Sequence, residues 1–205
     1  GDSPGPLVMT SGNPSAEPLC ADNDEALERL GGIADAFLLH DRDIAHRVDD
    51  SVALALRLPG PDCALQSRTQ PLRRARGYAP SPIALGRSSS RRVLALGAEL
   101  KSTVCLLRGD EALLSEHLGD LDNPVAYRNF LSTLDVFQRL FDFEPELVAC
   151  DLHPAYASTR HGRSLGLPIE AVQHHHAHVV AGMADNGLRG EVLGLACDGT
   201  GYGED

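Results

Sequence analysis

The chain has 205 residues, 42% of them hydrophobic, and a formal net charge of −11. That length holds one large domain or two small ones, and acidity spread along the chain argues against a surface built to grip the phosphates of nucleic acid. No apolar run approaches the ~20 residues of a membrane-spanning helix, and the five scattered cysteines, Cys20, Cys63, Cys105, Cys150 and Cys197, lack any C-x-x-C and read as free thiols of a reducing, cytoplasmic compartment.

The chain opens on GDSPGP and stops in the glycine loop DGTGYGED, so it reads as a fragment of a longer protein. LVMTS (7–11) is a predicted buried strand, broken by GNPSAEP. DNDEALERLGG (22–32) is a predicted helix with Asp22 or Asn23 as N-cap and glycine at its end. AFLLH (36–40) and DDSVALAL (49–56) are predicted strands, and 59–71 reads as a loop of insertion type. SPIALGRSSSRR (81–92) has linker composition, which divides the chain into units at 1–80 and 93–205.

The second unit starts with the predicted strand VLALGAE (93–99). TVCLLRG (103–109) and EALLSEH (111–117) read as a hairpin turning at Gly109-Asp110. A helix follows over 122–142, capped by Asn123 with Pro124 in its first turn and striped by Phe130, Leu131, Leu134, Phe137 and Phe141. Strands at 147–150, 169–173 and 191–197 alternate with helices at 154–165 and 174–186. The order β-β-β-α-β-α-β-α-β predicts a mixed α/β sheet.

Four of the nine histidines fall in QHHHAH, at 174, 175, 176 and 178. His174 and His178 are four apart and share a helix face. They can chelate one metal, or the run can be a solvated cluster at a helix start. Asp198 ends an apolar strand and is followed by Gly199, Thr200 and Gly201. A carboxylate there can ligate a metal and a glycine loop can approach phosphate, or the segment is a plain turn. Lys101 sits in a polar turn, and Ser11 and Asn13 follow a predicted strand. Asp50, Ser51, Arg73, Arg74 and Arg76 can grip a triphosphate or form surface ion pairs. Asp151 and His153 mark another strand end, as a site rim or a helix cap.

In order along the chain, PLVMTSGNPSAEP, ADAFLLHDRDIAHRVDDSV, LRRARGYAP, LGAELKSTVCL, SEHLGDLDNPVAY, ACDLHPAYAST, VQHHHAHVVAGMA and DGTGYG resemble the HypF family of hydrogenase-maturation carbamoyltransferases. The resemblance implies the C-terminal part of a YrdC-like twisted α/β sheet, followed by the first half of an actin/Hsp70-like (ribonuclease-H-like) domain. It implies an ATP-dependent enzyme that takes carbamoyl phosphate through carbamoyl adenylate. The carbamoyl group then passes to the C-terminal cysteine of a HypE-like acceptor protein. By the same resemblance Ser11, Asn13, Asp50, Ser51, Arg73, Arg74, Arg76, Lys101, Gly199, Thr200 and Gly201 contact nucleotide. His174, His178 and Asp198 would hold one divalent metal, zinc or iron. Neither a membrane nor nucleic acid is an expected partner. The nearest rival is a small-molecule O-carbamoyltransferase of antibiotic tailoring, TobZ-like, in which the transfer domain comes first; here the YrdC-like part precedes it.

Overall fold

A computed structural model describes residues 5–15, 17–59, 64–199 and 201–203. Cys63 and Thr200 lie outside them. Ten elements occur in order: α1 (Asn23–Leu30), β1 (Val52–Pro59), β2 (Leu65–Arg73), β3 (Ile83–Ala95), β4 (Cys105–Leu114), α2 (Pro124–Leu140), β5 (Leu147–Asp151), α3 (Ala157–Ser164), β6 (Ile169–Val172) and α4 (His174–Asp185). β1 and β2 form an antiparallel pair, and the remaining strands form a sheet in the order β4-β3-β5-β6. β3 is antiparallel to β4 and parallel to β5, which is parallel to β6. No helix among the described residues is long and apolar enough to cross a membrane.

The helix starts are set by local chemistry. Asp22 Oδ1 accepts from the amides of Asp24 and Glu25, and Asn123 Oδ1 accepts from that of Val125 at 2.8 Å, with Pro124 next in line. Each cap satisfies a backbone donor that the helix itself leaves free. The striped face of α2 then drops Phe130, Leu134 and Phe137 onto Leu94, Leu96, Leu106 and Val148 of the sheet and its margins. α3 covers the sheet closely because Gly162 lacks a side chain: a Cβ there would stand 3.0 Å from Leu96 Cδ1 and Val148 Cγ1.

The first unit is held differently. Among the described residues Ala75 is the one fully buried apolar residue before Leu94, and α1 buries none. Polar ties take over: Arg29 pairs with Glu17 and Glu25, and Arg47 reaches Glu25 at 2.8 Å and the Leu19 carbonyl at 2.6 Å.

Several expected elements differ. Residues 83–92, expected as linker, are the first ten residues of β3; Ile83 pairs with Ala112 and Ser89 with Gly109. Serine and arginine suit a strand whose faces are wet, so composition concealed it. The expected hairpin at 103–117 is instead the single strand β4, and Gly109, at φ +62°, sits where the β3–β4 register shifts. A glycine read as a turn is therefore a bulge. Residues 65–71, expected as loop, belong to β2. Segments 7–11, 36–40 and 191–197 are not strands; Val8 is 95% exposed and Leu193 102%. Strand-like composition does not make a strand without a neighbour to pair its backbone, and among the described residues no strand pairs with these. The second unit therefore runs β-β-α-β-α-β-α.

Phe130→Ala, emptying the α2–sheet interface, is expected to cost about 3–5 kcal/mol in urea unfolding, and Gly162→Val about 1–3 kcal/mol by overpacking. His161 packs edge-on to Phe130, and burial lowers its pKa from the ordinary 6.5. As pH falls below that value the unfolded chain takes up a proton before the folded one does, so this residue makes stability fall. His161→Gln should flatten the acid side of a stability–pH curve; an unchanged slope refutes the assignment.

Candidate metal centre and interdomain cleft

β5 and β6 run parallel with Asp151 opposite Val172. Their carboxyl ends open on the same edge of the sheet, where ligands sit in open α/β folds. From Val172 the chain passes through Gln173 straight into α4, and Gln173 Oε1 accepts from the His176 amide at 2.8 Å. That cap sets the helix phase. His174 then meets Asp151, whose carboxylate is buried at 7% exposure, and its Nδ1–H donates to Asp151 Oδ2 at 2.6 Å. With a cation between Nε2 and Asp198, this bond would keep the proton on Nδ1 and leave the Nε2 lone pair to the cation.

Asp198 Oδ2 lies 2.8 Å from His174 Nε2 and 3.0 Å from His178 Nε2, and the two nitrogens are 3.2 Å apart. Among the described residues these three side chains are the one group of histidine, cysteine and acid ligands spaced for an ion. Tetrahedral ligands ~2.0–2.1 Å from a zinc-like ion stand roughly 3.3 Å apart, near the upper end of the spacings here, so the donor set can close on one divalent metal. Two imidazoles and a carboxylate suit zinc and iron alike. Burial opposes charging His174, but hydrogen bonds to Asp151 and Asp198 outweigh it and raise its pKa. The Gly199 amide, then His174 and His178, hold the Asp198 carboxyl down at about 2.

The neighbouring histidines do other work. The His175 ring lies against the glycine loop so closely that a Cβ on Gly201 would come within 2.6 Å of its Cε1 and Nε2. His176 is exposed. His153 stacks on Tyr156 at 4.1 Å and meets Tyr202 edge-on at 5.2 Å, which ties the loop after Asp198 to the end of β5.

The other expected ligand-binding residues divide. Ser11, Asn13, Arg73 and Lys101 line a cleft of about 800 Å³ between the two units. Asn13 Nδ2 donates to the carbonyls of Pro14 and Glu17 at 2.9 and 2.8 Å, while its Oδ1 is buried without a partner. Both amide hydrogens are thus spent inside the loop, and what remains is an acceptor for a donor group. Lys101 takes a left-handed backbone, φ +50°, with its amide on Asp120 Oδ1 at 2.8 Å; such strain in a non-glycine residue gathers at functional sites. Asp50, Ser51, Arg74 and Arg76 do not line the cleft. Ser51 Oγ donates to the Arg76 carbonyl at 2.9 Å and accepts from the Ala75 amide at 2.8 Å, a structural clasp. Asp50 and Arg76 form an exposed ion pair at 3.6 Å, and Arg74 pairs with Asp185. Gly199 and Gly201 stand beside Asp198 and His175, and neither lines the cleft. The sequence marks Asp151 only as a rim or cap; its strand-end position is the available signal, and its bond to His174 needs the fold.

Comparison with known proteins places this geometry. Residues 88–185 match the family described as HypF Kae1-like domain, and residues 2–65 match the one described as Telomere recombination, of the Sua5–YciO–YrdC group. Carbamoyltransferase HypF2 of Cupriavidus necator is 51% identical over 97% of the chain and 24% of its own length. Carbamoyltransferase HypF of Synechocystis sp. is 45% identical over 98% of the chain and 25% of its own. The chain therefore spans about a quarter of these curated relatives. Among solved structures, full-length HypF in the phosphate- and nucleotide-bound form superposes with a TM-score of 0.86 at 47% identity, covering 96% of this chain and 30% of that one. HypF of T. kodakarensis gives 0.82 at 33%, covering 96% and 25%.

Zinc or iron titration followed by metal analysis is expected to give one ion per chain. His174→Ala and His178→Ala should lose it, and His176→Ala should keep it. Asp151→Asn, which weakens the acceptor facing His174 while a side-chain oxygen can still take the His153 amide, should weaken binding about 10–100-fold. Loss of metal in His176→Ala alone would show that the helix phase is wrong.

Proposed function

The chain belongs to the HypF family, and on that premise we propose that it carries parts of both reaction centres of an ATP-dependent carbamoyltransferase of hydrogenase maturation, working in the cytoplasm. The substrates are carbamoyl phosphate and ATP, and the acceptor is the C-terminal cysteine of a HypE-like protein. The observation that carries this reading is the convergence of His174, His178 and Asp198 at one point, with Asp151 orienting the first of them.

In this reading the cleft forms the adenylate. Arg73 and Lys101 offer the positive charge that a polyphosphate needs, and Asn13 Oδ1 accepts from a donor on the substrate, such as the carbamoyl amide or a ribose hydroxyl. Carbamate and its adenylate are labile in water, so walls from both units that exclude solvent protect them. Transfer belongs to the second centre. The metal held by His174, His178 and Asp198 would supply Lewis acidity toward a carbonyl or phosphate oxygen. Asp151 keeps the His174 ring oriented, and the Gly199 amide, donating at 2.7 Å, holds the Asp198 carboxylate in place beside the two imidazoles.

In the enzyme that carries this chain, Asn13→Ala should lower carbamate-dependent ATP–pyrophosphate exchange about 100-fold. Transfer from supplied carbamoyl adenylate to a cysteine-terminated peptide should stay near wild type. A parallel fall in both activities would refute the division of labour.

A further inference from the structure

Glu116 is a carboxylate at 4% exposure, placed just after β4 and lining the interdomain cleft. Its Oε1 receives Thr133 Oγ1 from α2 at 3.3 Å and meets His46 Nε2 at 2.8 Å. His46 comes from the other unit, seventy residues earlier in the chain. A carboxylate withdrawn from water is costly unless it is paired, so this contact carries more weight than the surface ion pairs around it. The residues just past His46 tie back to the first unit. Arg47 is anchored to Leu19 and Glu25, the Asp49 carbonyl accepts from the Arg76 amide at 3.2 Å, and Arg47 and Asp49 both line the cleft. Segment 46–49 is therefore a strap fastened to the first unit by Arg47 and Asp49 and to the second by His46. Among the described residues, the other hydrogen bonds between the units are the His117 amide on the Arg74 carbonyl at 3.2 Å and the exposed contacts of Arg74 and Gln70 with Asp185.

We propose that His46 is a positioning residue: through buried Glu116 it fastens the 46–49 strap to the second unit and keeps the two walls of the cleft in register, so that the intermediate made on one side is delivered to the other instead of to water. This rests on the two-step reading above. The strap touches none of the metal ligands, and His46 does not line the cleft. Asn13 and Arg73, on the first-unit side of the cleft, are held by their own loop and by β1–β2 pairing rather than by the strap, so its loss should impair the coupling of the two steps far more than adenylate formation.

The test measures two quantities in the whole enzyme: ATP–pyrophosphate exchange, and ATP consumed per carbamoyl group transferred to a cysteine-terminated peptide. His46→Ala should keep exchange within about twofold and raise ATP consumption per transfer about tenfold. His46→Gln, which retains a nitrogen donor, should restore at least half of the coupling. His46→Ala made in a Glu116→Gln background should add no further loss, since the histidine acts through that carboxylate. Normal exchange with an unchanged ATP-per-transfer ratio in both His46 variants overturns the strap. A parallel fall of exchange and transfer in His46→Gln overturns it too, by assigning the residue to folding. Absence of exchange in the wild type sinks the two-step reading itself, a result distinct from either.

Discussion

The parallel pairing of β5 with β6 is the constraint on which the His174–His178–Asp198 cluster depends. Once Asp151 stands opposite Val172, the next residues on both strands emerge side by side. Gln173 spends its side chain on capping α4, and His174 inherits the place beside a buried carboxylate. Everything after that is helical arithmetic: His178 lies one turn on, and Asp198 reaches back to both nitrogens. The strand register thus sets which nitrogen of His174 faces the buried carboxylate and which faces Asp198.

The two halves of the chain achieve order by different means. The second unit has an apolar interior in which α2 and α3 cover a four-stranded sheet. The first relies on a mesh of arginines and glutamates around Arg29 and Arg47. A mesh of half-buried charges holds less firmly than a packed core, because desolvation and side-chain ordering take back part of what each pair contributes. That contrast gives the cleft one stiff wall and one compliant wall, and it explains why a single buried cross-contact at Glu116 has so much to secure.

Much of this is readable from residue order. The capped helices at Asn123 and Asp22, the alternation after residue 122 and the His174–His178 spacing all rest on local chemistry that needs no partner. What misleads is everything whose partner lies far along the chain. The serine-rich stretch of β3 reads as linker because its pairing with β4 is non-local. Gly109 announces a turn in isolation and makes a bulge in context. The apolar runs at 7–11 and 191–197 have strand composition but no strand beside them among the described residues. In the sites, the candidate side chains are legible while their supports are not: Asp151 behind His174, and His46 on Glu116, join residues 23 and 70 positions apart.

The directness of the β6–α4 junction has a consequence for how such a protein tolerates changes in length. Residues 165–168 and 186–190 lie outside helix and strand, and the former precedes the paired segment. An added residue there is absorbed before the register is set. One added within 169–173 would shift β6 against β5 by a step and turn each later side chain to the opposite face. The imidazole at the helix start would then leave the carboxylate that orients it. Length drift in this chain therefore has open ground on both sides of the histidine helix, and a forbidden window of five residues just ahead of it.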